Sequence, residues 1–353
     1  MSARPAFVVG FESQADACDE LGSPFTARLC RLAAERFSGM GGPVPSLIMT
    51  WPEDRIRPDA LALRFCGALH ALKRRGHGPL AAVYPPAKIS DDALWQAVAE
   101  AMAEEAAFIT QRMQSAPQTN EVRRSAALFP AFALIAARFP GKELVLSEIG
   151  ASAGLNLMWD RYAYRLGERH VPSAVGEAPF EIAPDWTGSL PPDAAITVSE
   201  RAGCDLNPLD ASDNDDCERL LSYIWADQAD RLERTEKALA LARATGVIVE
   251  KADAVEWLRE RLAVSRPGKV HIVYHTIAWQ YLPFAARTEG ERLLAEAGAR
   301  ADDNAPLCRL QMEADEDKHG AGLTLAIWPG GEMLKLGRAD FHGRWIDWRG
   351  PAQ

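Results

Sequence analysis

The sequence predicts an α/β protein: a helical N-terminal region, then a seven-stranded sheet that is mostly parallel and ends in an antiparallel hairpin. Three observations carry this. After residue 142, short apolar runs alternate with helix-length amphipathic segments, the pattern of a parallel sheet covered on both faces. Before it, apolar residues recur at helical spacing and strand-like runs are scarce. Between the two, residues 144–157 read as a buried strand (Leu144, Val145, Leu146), a turn of small residues (Gly150 to Gly154) and the start of a helix.

In order along the chain, residues 15–37 form a helical stripe through Cys18, Leu21, Phe25, Leu29 and Leu32, broken near Gly22-Ser23-Pro24. Residues 59–75 place Leu61, Phe65, Leu69 and Leu72 largely on one side. Ser90-Asp91-Asp92 is a capped start with acids in the first turn, and Leu94, Val98, Met102, Ile109 and Met113 continue the stripe. Thr119-Asn120-Glu121 opens a further helix that closes at Phe139-Pro140-Gly141. Residues 39–45 and 83–87, rich in Gly or Pro, are connecting loops.

The boundary falls near Lys142, so that residues 1–141 form the helical region and 142–353 the sheet domain. Strands are expected at 143–149, 195–199, 247–251, 270–275, 307–313, 323–328 and 332–336, with helices at 155–166, 208–244, 254–264 and 284–299. Pro329-Gly330-Gly331 joins the last two strands as a hairpin turn. Residues from about 166 to 195 carry Pro172, Pro179, Pro184, Pro191 and Pro192 and form an unusually long link, expected to be an insertion over the ligand face.

Composition narrows the function classes. Hydrophobic content of 48% and charged content of 25% are those of an ordinary soluble globular protein. There is no apolar run long enough for a membrane span, and residues 1–10 lack the pattern of a signal peptide. The six cysteines are scattered without a C-x-x-C pair, which argues against a zinc site and a disulfide framework and points to a reducing cytoplasm. The net charge is −10: residues 1–125 balance at 14 basic and 14 acidic side chains, whereas 126–353 hold 25 and 35. That excess repels a polyanion, so a small-molecule partner is expected, not nucleic acid or membrane. No metal site is expected, and the oligomeric state is not read from the sequence.

The turn itself has several readings. A dinucleotide site needs a second glycine that is missing, and a P-loop needs a lysine that is absent. Gly150-Ala151-Ser152-Ala153-Gly154 spells G-x-S-x-G, the nucleophile elbow of α/β-hydrolases, with Asp253 or Asp303 and His342 as partners in the required chain order. A bare glycine turn without a ligand is the plainest reading. Finally, Glu148-Ile149-Gly150 and Gly154-Leu155-Asn156 resemble the first motif of class I S-adenosylmethionine-dependent methyltransferases, with Ser152 in place of the usual middle glycine. Strand order favours this last reading, because the turn follows the first strand of the sheet, whereas a hydrolase elbow is preceded by several strands.

That resemblance implies a Rossmann-like, class I methyltransferase-type sheet and S-adenosylmethionine as cofactor. It assigns Glu148, Gly150, Ser152, Gly154 and Asn156 to the amino-acid part of the cofactor, Asp205 to the ribose and Asp253 to the adenine amino group. Asp205 and Asp253 also read as plain helix caps, and Glu200 is a competing ribose acid. His275 and Thr276 stand at the exit of the fourth strand, where the family places the acceptor. A histidine near neutral pKa there accepts a proton from an N or O acceptor. Candidate catalytic side chains are His275, Glu121, Tyr281 and His342; candidate acceptor contacts are Asn120, Arg124 and Thr276. The expected reaction is methyl transfer to a small molecule, with the helical region and the insertion closing the pocket. The alternatives are a serine hydrolase using Ser152 and a non-catalytic small-molecule sensor of the same fold. From end to end the chain also resembles a bacterial family known only as domain of unknown function 2332. The resemblance rests on Thr119-Asn120-Glu121-Val122, Arg124-Ser125-Ala126, residues 148–156, Arg201-x-Gly203-x-Asp205, Ile224-Trp225, Gln280-Tyr281-Leu282 and His342-Gly343. It supplies no activity.

Overall fold

The computed structural model describes residues 4–351. Its helices are α1 (Ala6–Glu20), α2 (Pro24–Arg36), α3 (Pro43–Met49), α4 (Leu61–Arg74), α5 (Gly78–Val83), α6 (Asp91–Glu104), α7 (Ala106–Met113), α8 (Ser125–Arg138), α9 (Asn214–Ser222), α10 (Ala229–Thr245), α11 (Ala254–Ala263) and α12 (Phe284–Arg300). Its strands are β1 (Glu143–Ile149), β2 (Ala163–Leu166), β3 (Arg169–Val171), β4 (Glu181–Ile182), β5 (Asp185–Gly188), β6 (Val198–Asp205), β7 (Glu250–Lys251), β8 (Lys269–Thr276), β9 (Leu307–Glu313), β10 (Ala321–Trp328), β11 (Glu332–Ala339) and β12 (Trp345–Trp348). The chain divides into two compact units, Met1–Thr119 with Asn214–Glu236, and Asn120–Asp213 with Lys237–Gln353. This differs from a single cut near Lys142: the α8 segment goes with the sheet, and a stretch after β6 goes with the helices.

The helical unit follows its apolar stripes. Ser23 caps α2 by accepting from the Thr26 amide, and Pro24 stands at the first helical position, so the chain breaks where Gly22-Ser23-Pro24 predicts. Phe11, Phe37 and Phe65 meet edge to face at the centre, with ring centroids 5.1 Å apart for Phe37 and Phe65. Ser90 caps α6 as expected, and the long stripe is divided at Glu105 into α6 and α7.

In the second unit the main sheet has nine strands in the order β5-β12-β11-β10-β9-β8-β1-β6-β7. The block β7-β6-β1-β8-β9 is parallel throughout, and β10, β11 and β12 add to β9 by antiparallel pairings. The seven-strand expectation is thus corrected to nine. Two strands at one end of the sheet were missed: β5, from within the proline-rich insertion, forms the edge and pairs parallel with β12. The insertion is not one long link, because it also supplies β3 and β4 of a small sheet ordered β3-β2-β4. β10 lies directly against β9, so the C-terminal strands form a simple meander.

Alternation along β1 and β8 assigns their side chains to two faces. Ile149 and Val273 pack with Trp257 and Leu258 of α11 and Leu293 and Leu294 of α12. On the other face Phe132 of α8 stacks flat on Trp159 at 4.1 Å and meets Tyr274 edge-on at 5.4 Å.

The expected helix at 155–166 is absent. Residues Leu155–Arg161 form irregular 3-10 turns with a non-helical break at Met158, and the chain then enters β2. The reason lies in where the carbonyls go. Leu155 O accepts from the Tyr162 hydroxyl at 2.7 Å, Leu157 O from Arg201 at 2.7 Å and Asn156 O from Tyr274 at 3.3 Å, while Trp159 O accepts from the Tyr164 hydroxyl. Side chains take the carbonyls that an α-helix would pair four residues on. The strand expected at 195–199 starts later and runs to Asp205, and the helix expected at 208–244 is two, α9 and α10.

Candidate functional site

Within the parallel block the chain steps from β1 to β6 to β7 in one direction, then returns to β8 and β9 in the other. The order therefore reverses between β1 and β8, the position at which open parallel sheets receive ligands, outside the carboxyl ends of the strands. The glycine turn leaves β1 at that point, and residues 277–279 leave β8 beside it.

Backbone strain concentrates there. Of three non-glycine residues with positive φ among those described, two are Ser152 at 55° and Ile277 at 50°, one after each strand. For a β-branched residue this conformation is a genuine outlier, and such strain gathers at functional loops. Gly150, φ 71°, explains its own identity: a side chain there would drive a Cβ to 2.6 Å from that of Ala278. Gly203 is equally constrained, since its Cβ would lie 2.7 Å from Ala151, so β6 packs directly under the turn.

The turn is held from three sides. Asn120 Oδ1 accepts from the amides of Ala153 at 3.2 Å and Leu155 at 2.9 Å. Asp205 Oδ2 accepts from the Ser152 amide at 3.0 Å, and its Oδ1 from Asn207 at 2.9 Å. Gly150 and Ala151 donate to Cys204 O, and Gly154 to Ala151 O. Every amide from Gly150 to Leu155 thus has a partner inside the protein, and no α-helix follows. The expected helix start therefore leaves no free amides at the turn to meet an anion. The same accounting weighs against the nucleophile elbow. Ser152 Oγ is buried without a hydrogen bond, so no base activates it, and the Ala153 amide that would serve an oxyanion hole is committed to Asn120. Asp303 precedes β9, at the end of the sheet opposite Ser152.

Around this core the structure assembles motifs that are far apart in sequence. Arg124 donates to Thr276 O at 3.1 Å and to Phe341 O at 3.0 Å, tying together the start of the unit, the β8 exit and the C-terminal loop. Ser125 donates to Asn156 Oδ1 at 2.8 Å. Glu148 is buried beneath the turn; burial holds its carboxyl well above the ordinary range, and its Oε2 lies 3.3 Å from the Tyr274 hydroxyl, whose single proton it shares with Asn156 O. Glu121 is buried and accepts from the Arg123 amide at 3.1 Å, and the His342 amide donates to Asp340 at 2.9 Å. Arg124, Thr276, Asn120 and Asn156 are buried as well, so in this unit they brace the loops.

The remaining expected residues have surroundings of their own. Tyr281 is 74% exposed. Asp253 caps α11, where one carboxylate oxygen accepts from Val255 and Glu256. Glu200 is paired with Arg261 at 2.6 Å, which leaves Asp205 as the acid at the end of β6. His275 lies on the opposite face of β8 from Glu148, 0% exposed, with Nδ1 donating to Glu313 at 2.7 Å and Nε2 accepting from Arg309 at 3.4 Å. Arginine only donates, so this ring is neutral; burial holds its pKa below the usual value. Its ring stacks on Trp279 at 4.9 Å. Glu313, which sequence reading missed, also accepts from the amides of Ala278 and Trp279 at 3.0 Å each. Burial raises its carboxyl, but these bonds outweigh burial and leave it below the ordinary value. His275 and Glu313 therefore position the strained loop. An acid ending a parallel strand beside the switch point was the signal for Glu313; Ile277 carried none.

Among the described residues no helix is long and apolar enough to cross a membrane, and no cluster of His, Cys, Asp and Glu could hold a metal ion. No curated protein and no solved structure matches the chain. A family model does match, over residues 9–348: the chain belongs to domain of unknown function 2332 (DUF2332), described as an uncharacterized protein conserved in bacteria.

Proposed function

We propose that the sheet unit binds S-adenosylmethionine at the switch point and transfers its methyl group to a small acceptor. The observation that carries the reading is the placement of two acids. Asp205 ends β6 and Asp253 follows β7, both at the sheet end from which the glycine turn leaves, and Ala252 N donates to Asp205 O at 3.1 Å. A carboxylate has about four acceptor sites, and Asp205 uses one on each oxygen, so two remain for a pair of ribose hydroxyls. Asp253 keeps one oxygen for an adenine amino group while capping α11 with the other. The turn fits by shape and not by amide donors, because its amides are taken. The cofactor would supply the activated methyl carbon; the protein's part is to hold the acceptor in line and exclude water.

Calorimetric titration with S-adenosylhomocysteine tests this. Saturable binding is expected, weakened about ten-fold to a hundred-fold by Asp205→Ala in a variant shown to be folded, as loss of charge-assisted bonds predicts. No binding at millimolar ligand, or equal binding by the variant, refutes it. Stoichiometric labelling of Ser152 by a fluorophosphonate would move the assignment to a hydrolase.

A further inference from the structure

A cavity of about 250 Å³ in the helical unit is lined by three arginines, Arg75 after α4, Arg112 of α7 and Arg219 of α9, by Phe108, Gln111 and Ser115, and by the two carboxylates of Asp215 and Glu218. Each arginine is held in place by one part of its side chain. The Arg75 guanidinium lies 4.5 Å over the Phe108 ring. Arg112 donates to Ser222 Oγ at 2.8 Å and lies 5.6 Å from the Tyr223 ring. Arg219 donates to Gln118 Oε1 at 3.3 Å.

The carboxylates around the three guanidinium groups are either committed elsewhere or too distant for a hydrogen bond. Glu218 is committed to Arg74 through two bonds of 2.8 and 2.9 Å. Asp215 is 93% exposed and 3.9 Å from Arg75, beyond hydrogen-bond range, and Asp216 stands 3.7 Å from Arg219. The Nε atoms of Arg112 and Arg219 are buried without a hydrogen bond. Burial first, then the like charges of Arg219 and Arg75, hold Arg112 below the ordinary guanidinium value. Buried charged donors left unpaired are costly, and oxyanions satisfy guanidinium groups best, through several N–H bonds at once.

We propose that this cavity is a binding site for the oxyanion group of a small molecule, either a phosphate ester or a dicarboxylate. Three guanidinium groups supply the charge, and Gln111 and Ser115 offer neutral partners to the rest of the ligand. The site lies in the helical unit and is independent of the methyl-transfer reading.

The test is calorimetric titration of the full chain with inorganic phosphate and, separately, with succinate. One-to-one saturable binding of at least one is expected, weakening as sodium chloride rises. Tetrahedral and planar oxyanions distinguish the two sources. Arg112→Gln and Arg75→Ala should each weaken the bound probe at least ten-fold. Arg75 is 56% exposed, so that variant reports even if Arg112→Gln fails to fold. Absence of saturable binding by both probes at millimolar concentration overturns the proposal, and so does unchanged affinity in Arg75→Ala.

Discussion

Replacing Asn120 by alanine should loosen the glycine turn without touching the sheet. Asn120 is buried, and one oxygen accepts two amides, Ala153 at 3.2 Å and Leu155 at 2.9 Å. Neither amide has another partner in reach of a strand or helix ladder, because the turn is followed by irregular 3-10 structure. Each unsatisfied buried donor costs about 1–3 kcal/mol. Two donors, one of them on a long bond, give a loss of about 2–4 kcal/mol. For a unit of this size that lowers Tm by about 2–4 °C per kcal/mol. The local signature is sharper. A loss of 2 kcal/mol in the opening free energy accelerates amide exchange about 30-fold, and the acceleration should be confined to the peptide spanning residues 148–157. Hydrogen exchange read by mass spectrometry measures it. Asn120→Asp keeps an acceptor oxygen in place and should retain most of the protection. Wild-type exchange in Asn120→Ala would refute the claim that this side chain holds the turn.

Two further expectations concern pH. Burial raises Glu148 in the folded state, so above the unfolded value of about 4.3 the unfolded chain releases a proton that the folded chain keeps, and stability falls as pH rises. Glu148→Gln should therefore melt higher than wild type at pH 8 and no higher at pH 4; parallel melting curves across that range would count against a buried protonated carboxyl. His271 has the opposite sign: burial lowers its pKa to about 3, so its stability contribution is complete above the unfolded value and is lost as pH falls from 6.5 towards 3. Its Nε2 bonds Ser147 Oγ at 2.9 Å, which glutamine can imitate, so His271→Gln should show a shallower acid limb by up to about 1.4 kcal/mol per pH unit, read from urea midpoints between pH 6.5 and 4.

The parts of the fold that were legible in sequence are those where one signal dominates. β9 spans the expected residues 307–313, and α11 starts where Asp253 supplies a cap. The stretch after the turn was misread because Leu155, Met158, Trp159 and Tyr162 have helical spacing, yet residues 155–160 are buried all round. A period signals a helix only when one side faces water. What decides this stretch is three tyrosine hydroxyls and Arg201 reaching its carbonyls, and the contacts of Arg201 and Tyr274 come from 44 and 118 residues away, outside any local window. β12 and β5 are four residues each and gain their identity from pairing with one another. Such short strands have no long apolar run to announce them.

Residue type in the sequence pointed to several side chains that meet near the switch point and to none of the contacts they make there. Asn120, Arg124, Thr276 and the 341–343 loop do converge on the switch point, but what reaches it is mostly hydrogen bonds to main chain. A sequence gives residue type, and an Asn or Arg that binds a ligand looks the same as one that binds a loop. The distinction comes from counting donors: with six consecutive amides satisfied internally, the turn would offer a ligand its contour, and unused acceptor capacity remains on carboxylate oxygens at Asp205 and Asp253. A site of that kind selects ligands that donate hydrogen bonds, hydroxyls and amino groups, over ligands that present phosphate or carboxylate. Competition at the switch point should therefore follow the nucleoside portion. Adenosine should displace S-adenosylhomocysteine in the calorimeter, and homocysteine should not. Displacement by homocysteine alone would place the recognition at the turn and show that its amides rearrange to receive a carboxylate.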